Sequence, residues 1–409
     1  MNEDMPESLR AVDPIPLHVW LIEAGLSGLP AGEMLDGLCR RLVAVGVPLA
    51  RGFLSVAALH PTRRAGSFTW QGGRIVDTAD FGHDSVATDS WRDSPFRHML
   101  ESGVRRLHRR LVGPEAVVDF PVLAEFRDAG LTEWLALLHG FGWIREHELG
   151  YQFGVVLSWA TDRPAGWTAA ELEIIEELSG TLALAAKGNS MLGTMRDLLA
   201  TYLGGDAAAR VIAGQVQRGS VSRIAAVILY ADLRGFTDFA DVTEPEEVTR
   251  RLNGYFDCMG EAVAAAGGEI LKFLGDGILA VFLPKAGADM AAVAAATLAA
   301  AQDMLARVDR LNEAEAAAGR PALAVDIALH EGDVTYGNVG TADRLDFTVI
   351  GPAVNEATRL EGLCKELGRH LLVSDAVLRA APALRPRLRS LGRHRLRGVR
   401  EPREVFTSG

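Results

Sequence analysis

At 409 residues the chain is long enough for two or three domains, each with a core of its own. Hydrophobic residues make up 48% and charged residues 23%, ordinary globular values that exclude a disordered or low-complexity chain. The net charge of −11 speaks against nonspecific nucleic-acid binding, and Cys39, Cys258 and Cys364 form no CxxC pair, so a reduced cytoplasmic protein without a structural zinc site is expected.

The N-terminus is acidic and polar, with no visible signal peptide, and residues 1–14 read as a frayed tail. No run reaches the roughly 18 apolar residues of a membrane span. The longest candidate, 286–305, is mostly alanine, contains Asp289, Gln302 and Asp303, and reads as a soluble helix. Residues 17–24 and 31–45 are predicted helices. Residues 53–59 read as a strand, and 67–70 with 74–77 as a hairpin around Gly72-Gly73. The basic run 105–110, RRLHRR, reads as a solvated face. A helix is predicted over 123–138 and strands over 142–146 and 152–159. Residues 15–165 thus form one mixed domain. No histidine pair there has metal-ligand spacing, so neither metal nor haem is expected. Trp20, Trp70, Trp91, Trp134 and Trp143 could line a pocket, although core positions suit most of them better.

Thr168-Ala-Ala-Glu171 is a capping box that opens a long helix over 168–203. Ile175, Leu178, Leu182, Ala185, Asn189 and Leu192 recur in steps of three and four, which fits equally a short dimer seam or an amphipathic helix on its own domain. Gly204-Gly205 breaks the helix, and a connector runs to 222. The N-terminal layout resembles a GAF-type sensor domain. That resemblance implies a six-stranded antiparallel sheet, helices on one side, and a pocket for a small-molecule ligand on the other.

The stretch 227–282 carries the chemistry. Asp232 follows the short apolar run 227–231, which reads as a buried strand. Asp276 sits in the tight turn Gly275-Asp276-Gly277, between two strands over 270–282. Residues 246–266 have helical periodicity, with Val248, Leu252, Phe256 and Met259 on one face. Such a unit can bring both carboxylates to one sheet edge, where hard oxygen ligands favour Mg²⁺. Further on, 322–329 and 333–338 read as two strands reversing at Gly332, and 354–367 as a helix.

Four motifs stand in order: Asp232-Leu-Arg-Gly-Phe-Thr237, Lys272-Phe-Leu-Gly-Asp276-Gly, Arg344-Leu-Asp-Phe-Thr-Val-Ile-Gly351 and Val354-Asn355-Glu-Ala-Thr-Arg359. Together they resemble the catalytic domain of the class III nucleotidyl cyclases. The resemblance covers roughly 222–407 and implies an α+β fold with a ferredoxin-like, palm-type C-terminal domain. It divides the chain into a tail (1–14), a GAF-like domain (15–165), a helical linker (166–222) and a cyclase domain (223–409).

The activity it implies is conversion of ATP to 3′,5′-cyclic AMP and pyrophosphate. Asp232, Asp276 and the Leu233 carbonyl would hold two ions, Mg²⁺ or Mn²⁺, per site. Phe236 and Thr237 open a helix beside the phosphates, where free N–H groups can meet them. Lys272 implies adenine. Thr348 stands where many adenylyl cyclases have aspartate, as in the bicarbonate-responsive branch. Asn355 would orient the ribose and Arg359 stabilise the α-phosphate. Arg397 matches a phosphate-binding lysine position. Glu356 departs from the usual apolar residue, and His330 reads as structural. The family's composite sites imply a homodimer. The alternatives are a guanylate cyclase, which Lys272 argues against, and a catalytically weak nucleotide-binding regulatory module.

Overall fold

Strands rich in β-branched and aliphatic residues, four to seventeen residues long, build two sheets here. The computed structural model describes residues 13–57, 65–82, 88–141, 154–284 and 288–408. The chain divides into two units, 1–198 and 199–409.

The first unit opens with helices α1 (Ile15–Leu26) and α2 (Ala31–Ala44). Its strands are β1 (Arg51–Ala57), β2 (Ala65–Gln71), β3 (Arg74–Phe81), β4 (Arg106–Arg110), β5 (Glu133–Gly140) and β6 (Gly154–Thr161). They form an antiparallel sheet in the order β3-β2-β1-β6-β5-β4. Gly72 and Gly73 take positive φ in the β2–β3 turn, as a two-residue hairpin requires. Leu54, Leu157 and Trp159 meet Leu21, Leu38 and Leu178 on one face. On the other, Trp134 and Ala160 meet Met99 and Leu123, from α4 (Pro95–Ser102) and α5 (Pro121–Asp128). A short helix, α3 (Asp89–Arg92), precedes them.

Several expectations are corrected here. Residues 123–138 are not one helix. Gly130, at φ +90°, ends the turn after α5, and the buried run that follows is β5. Helices cover both sheet faces rather than one. The basic run is not a solvated face but strand β4, with Arg106 on Glu176, Arg109 on Asp119 and Arg110 on the buried Glu133. The strand expected at 142–146, Trp143, and residues 1–12 lie outside the described residues.

Helix α6 (Ala169–Leu203) begins with the capping box: the Thr168 N–H donates to Glu171 at 2.7 Å and the Glu171 N–H to Thr168 at 3.3 Å. Ile175, Leu178 and Leu182 are buried in the first unit's own core, and Asn189 donates to the Leu29 carbonyl. That half of the expected seam is therefore packing within the unit. The exposed apolar residues of the helix are Leu184 at 70% and Tyr202 at 78% exposure, with Met191, Leu192 and Met195 between them, so of the expected seam only Leu192 is among them.

The second unit begins in the last turn of α6 and continues, after Gly204 at φ +89°, with α7 (Gly205–Ile212). Strand β7 (Val221–Arg234) leads through α8 (Phe236–Ala240) and α9 (Pro245–Ala265) to the hairpin β8 (Glu269–Leu274) and β9 (Gly277–Phe282). Then come α10 (Met290–Ala317), β10 (Ala324–Gly340), β11 (Leu345–Ile350), α11 (Pro352–Glu361), α12 (Leu363–Leu367), β12 (Leu371–Ser374), α13 (Asp375–Ala380), β13 (Leu388–His394) and β14 (Arg403–Ser408). The spatial order β13-β14-β12-β10-β7-β9-β8, with β11 on β10, contains the β10-β7-β9-β8 core of a ferredoxin-like βαββαβ unit.

Gly332 does not reverse the chain. Strand β10 runs straight through it, paired to β7 from Ala324–Arg234 to Gly337–Val221. The glycine serves close approach instead, since a Cβ there would stand 2.9 Å from that of Ala353 on α11. Helix α10 is, contrary to expectation, long and apolar enough by composition to cross a membrane. It packs Val293, Leu298, Ala301 and Met304 into the sheet core.

Candidate active site

Strand β7 ends in Asp232, and the β8–β9 turn presents Asp276 to it. Gly275, at φ +67°, makes the turn, and Gly277 lets it press onto β7, where a Cβ would meet the Ala231 carbonyl oxygen at 2.7 Å. Asp232 is half-buried and accepts the Leu233 N–H at 2.9 Å. Burial, then a hydrogen bond with Asp276, then repulsion from Asp276 and Glu361, push its carboxyl up to about 7. Glu361, at the end of α11, is pushed up to about 7 by burial and the charge of Asp326. A cation between the two carboxyl groups would relieve the repulsion that raises Asp232. The donor set of Asp232 and Asp276 therefore fits a hard divalent ion.

Beyond Asp232 the chain is anchored by Arg234. Its guanidinium holds Asp326 with two bonds of 2.7 Å and the Arg369 carbonyl at 3.1 Å. Gly235 then turns at φ +77° into α8, which opens on half-buried Phe236 and exposed Thr237.

Lys272 lies on β8 and pairs with Asp346 on β11. Asp346 is two residues from the buried Thr348, on the same strand. Sequence reasoning passed over Asp346; its i, i+2 spacing from Thr348 was the available signal. The apolar setting expected around Lys272 is itself exposed, Phe273 at 57% and Leu274 at 40%.

Helix α11 carries Asn355 and Arg359 into a cavity of 520 Å³, shared with Glu356, Gly398, Arg400 and Arg403. Arg359 lies against Gly398, where a Cβ would be 3.4 Å from its Nη1. Arg397 is exposed and not among the lining residues; Arg400 is. Glu356 is held by Arg403 at 2.9 and 3.1 Å. Beside it the buried His330 bonds Ser374 at 2.9 Å, with burial lowering the histidine's pKa. Neither Asp232, Asp276 nor Lys272 lines this cavity. One chain thus gathers Asp232, Leu233 and Asp276 in one place, and Asn355 and Arg359 in another.

The carboxylate pair thus stands at the end of the central strand β7 of a ferredoxin-like sheet, and the Asn355/Arg359 helix stands apart from it. Residues 220–407 match the family model of the adenylate and guanylate cyclase catalytic domain. The chain is 40% identical over 164 residues to an adenylate cyclase of Anabaena cylindrica, covering 40% of this chain and 32% of that one. It is 36% identical over 151 residues to adenylate cyclase 1 of Rhizobium meliloti, covering 37% and 22%. The chain thus spans a third or less of these relatives' own length. The adenylyl cyclase CyaB from P. aeruginosa superposes with a TM-score of 0.42 at 26% identity, covering 46% of this chain and 96% of that one.

Proposed function

We propose that this chain is a cytoplasmic adenylate cyclase that converts ATP to 3′,5′-cyclic AMP and pyrophosphate. The observation that carries this reading is the approach of Asp276 to Asp232 at the end of β7. Two Mg²⁺ or Mn²⁺ ions bound there would lower the pKa of the ribose 3′-hydroxyl and neutralise the triphosphate. Asp232, Asp276 and Leu233 would hold them, and the N–H groups at Phe236 and Thr237 would face phosphate oxygens. Asn355 orients the ribose. Arg359 sets its planar guanidinium on the α-phosphate as charge develops there. Arg397, or Arg400 of the cavity wall, neutralises the leaving pyrophosphate.

Adenine is read by Lys272, which donates to ring N1, with Thr348 accepting from the 6-amino group. Asp346 holds the lysine in place. Names of the Anabaena and Rhizobium relatives favour ATP, while the matching family model includes both adenylate and guanylate cyclases.

The working form is a homodimer with composite sites. Support comes from the separation of the Asn355/Arg359 cavity from the aspartate pair. The exposure of Phe273, Leu274 and, on α6, of Leu184, Met191, Leu192, Met195 and Tyr202 supports it too.

Residues 15–165 act as a GAF-like sensory domain, and α6 carries their state to the cyclase domain. The first turn of α7 is tied to the active-site strand: the Asp206 N–H donates to Glu269 at 2.6 Å, and Glu269 opens the strand that bears Lys272. The deciding assay is purified protein with ATP or GTP and Mg²⁺ or Mn²⁺, scored for cyclic product. Preference for GTP overturns the adenine assignment, and no cyclic product from either overturns the enzyme.

A further inference from the structure

In the first unit a cavity of 320 Å³ lies on the sheet face that carries α4 and α5. Its wall is a run of touching rings. Phe53 and Phe96 stack at 5.4 Å with 8° between their planes, and Phe96 leans on Trp134 at 6.3 Å. Arg51 extends the run, its guanidinium 4.8 Å from the Phe126 ring centre and 5.6 Å from that of Phe53.

Two donors in this wall lack acceptors among the described residues. The Arg51 guanidinium makes no hydrogen bond or ion pair among the described residues, and the Trp134 Nε1–H is buried without a partner. Trp134 is 1% exposed and lines the cavity. Leaving a buried donor unmet costs on the order of 1–3 kcal/mol. Stacking on aromatic faces offsets only part of the desolvation of a guanidinium. A folded protein that keeps both groups beside an open cavity is arranged for an acceptor that comes from outside.

The size and charge of the cavity narrow that acceptor. Its volume is at the lower end for small-molecule sites, which suits one ring or a fused pair. Asp89, Asp93 and Glu125 also line it, Asp89 being paired with Arg92, and Asp77 is close enough to act on Arg51. With three carboxylates in the lining and one guanidinium, the cavity rejects a polyanion such as a nucleoside triphosphate, and a ligand with one carboxylate can seat it only on Arg51.

We propose that this cavity binds a small aromatic monocarboxylate, with its carboxylate on Arg51 and its ring among Phe53, Phe96, Phe126 and Trp134. A planar fork of N–H donors matches a carboxylate with two parallel bonds. The proposal deepens, and for its regulatory meaning rests on, the reading of residues 15–165 as a sensory domain. Binding itself needs no cyclase activity.

The test is calorimetric titration of the full chain with indole-3-acetate, and with indole-3-acetamide, which keeps the ring and lacks the charge. Saturable binding of about one acid per chain is expected, with the amide at least tenfold weaker. Arg51→Met is expected to lower acid affinity at least tenfold while its thermal unfolding stays that of wild type. Trp134→Phe keeps the ring, loses the N–H, and is expected to weaken binding severalfold; it also decides the matter should Arg51→Met not fold. Absence of saturable acid binding up to about 5 mM overturns the proposal. So does equal binding of acid and amide, or undiminished binding in both variants. Binding with no effect on the rate of cyclic product formation leaves the site standing and removes the regulatory reading instead.

Discussion

Arg403 on the last strand holds Glu356 on α11 through two hydrogen bonds, of 2.9 and 3.1 Å. Glu356 neighbours Asn355 and is three residues from Arg359, so this pair fixes the helix that presents both. Arg403→Ala leaves a mostly buried carboxylate without its partner, and a loss on the order of 2 kcal/mol in unfolding free energy is expected. The double replacement Glu356→Leu with Arg403→Leu should recover most of it, because an apolar pair of similar size needs no counter-charge. Denaturant unfolding of wild type and the two variants checks this; equal destabilisation of single and double variants would falsify the clamp.

Asp232→Asn or Asp276→Asn is expected to abolish cyclic product while circular dichroism stays native. The pH dependence has a definite sign. Asp232 and Glu361 are both pushed up to about 7, well above ordinary carboxylates. Between about pH 4 and 7 the metal-free folded state therefore holds protons that the unfolded chain has released, and stability falls as pH rises through that window. A divalent cation takes the place of those protons, so it binds better as pH rises. Added Mn²⁺ should raise the midpoint of thermal unfolding more at pH 8 than at pH 6. An equal rise at both values argues against Asp232 as a ligand.

Lys272 is paired with Asp346, so the proposed reading of the base by Lys272 can be tested at two residues. Lys272→Glu replaces a donor with an acceptor and should cut ATP turnover by about 100-fold or more. Asp346→Asn releases the lysine without removing it, so a fall of about tenfold in kcat/KM for ATP is expected, with a narrower ATP to GTP ratio. The measurement is kcat/KM for both nucleotides in the three proteins. An unchanged ratio in both variants means that the base is read elsewhere.

Asp232→Ala and Arg359→Ala should each be inactive alone. Mixed in equal amounts and allowed to exchange, they should recover about a quarter of wild-type activity, since half the dimers are mixed and one of two sites in each is whole. Verified heterodimers without activity would mean that each chain builds its own site.

A one-residue insertion at Gly193 turns the lower part of α6 by about 100° relative to the upper part. If α6 passes a state to the cyclase domain through α7 and Glu269, cyclic product formation should change at least severalfold in protein that remains dimeric by light scattering. Unchanged turnover in that dimer leaves residues 15–165 as a passive assembly aid.

What could be read from sequence was local. The meeting of Asp232 and Asp276 was legible because two carboxylates that end apolar runs in one strand–helix–hairpin unit reach the same end of the sheet, although either alone suits a turn or a helix cap. The capping box at Thr168 was legible because both partners lie within one helical turn. Misread elements fail for a physical reason of the same kind. Gly332 punctuates the sequence like a turn, yet it is glycine because Ala353 packs on β10 there, and that neighbour is distant along the chain. The run 131–138 satisfies helical length and composition, and only pairing with β4 and β6 makes it a strand.

The sequence by itself determined the chemistry on offer: which carboxylates, amides and guanidiniums the C-terminal unit brings, and on which local elements. Only the tertiary structure decided which of them meet. It set Lys272 on Asp346, Arg403 on Glu356 and Glu361 near the aspartate pair, and among the described residues it left Arg51 and Trp134 without acceptors beside a cavity. Periodicity reports which face of an element is buried, since that depends on its own residues. Which partner lies across that face depends on strand order and on helices far away in the chain, and no local pattern encodes it.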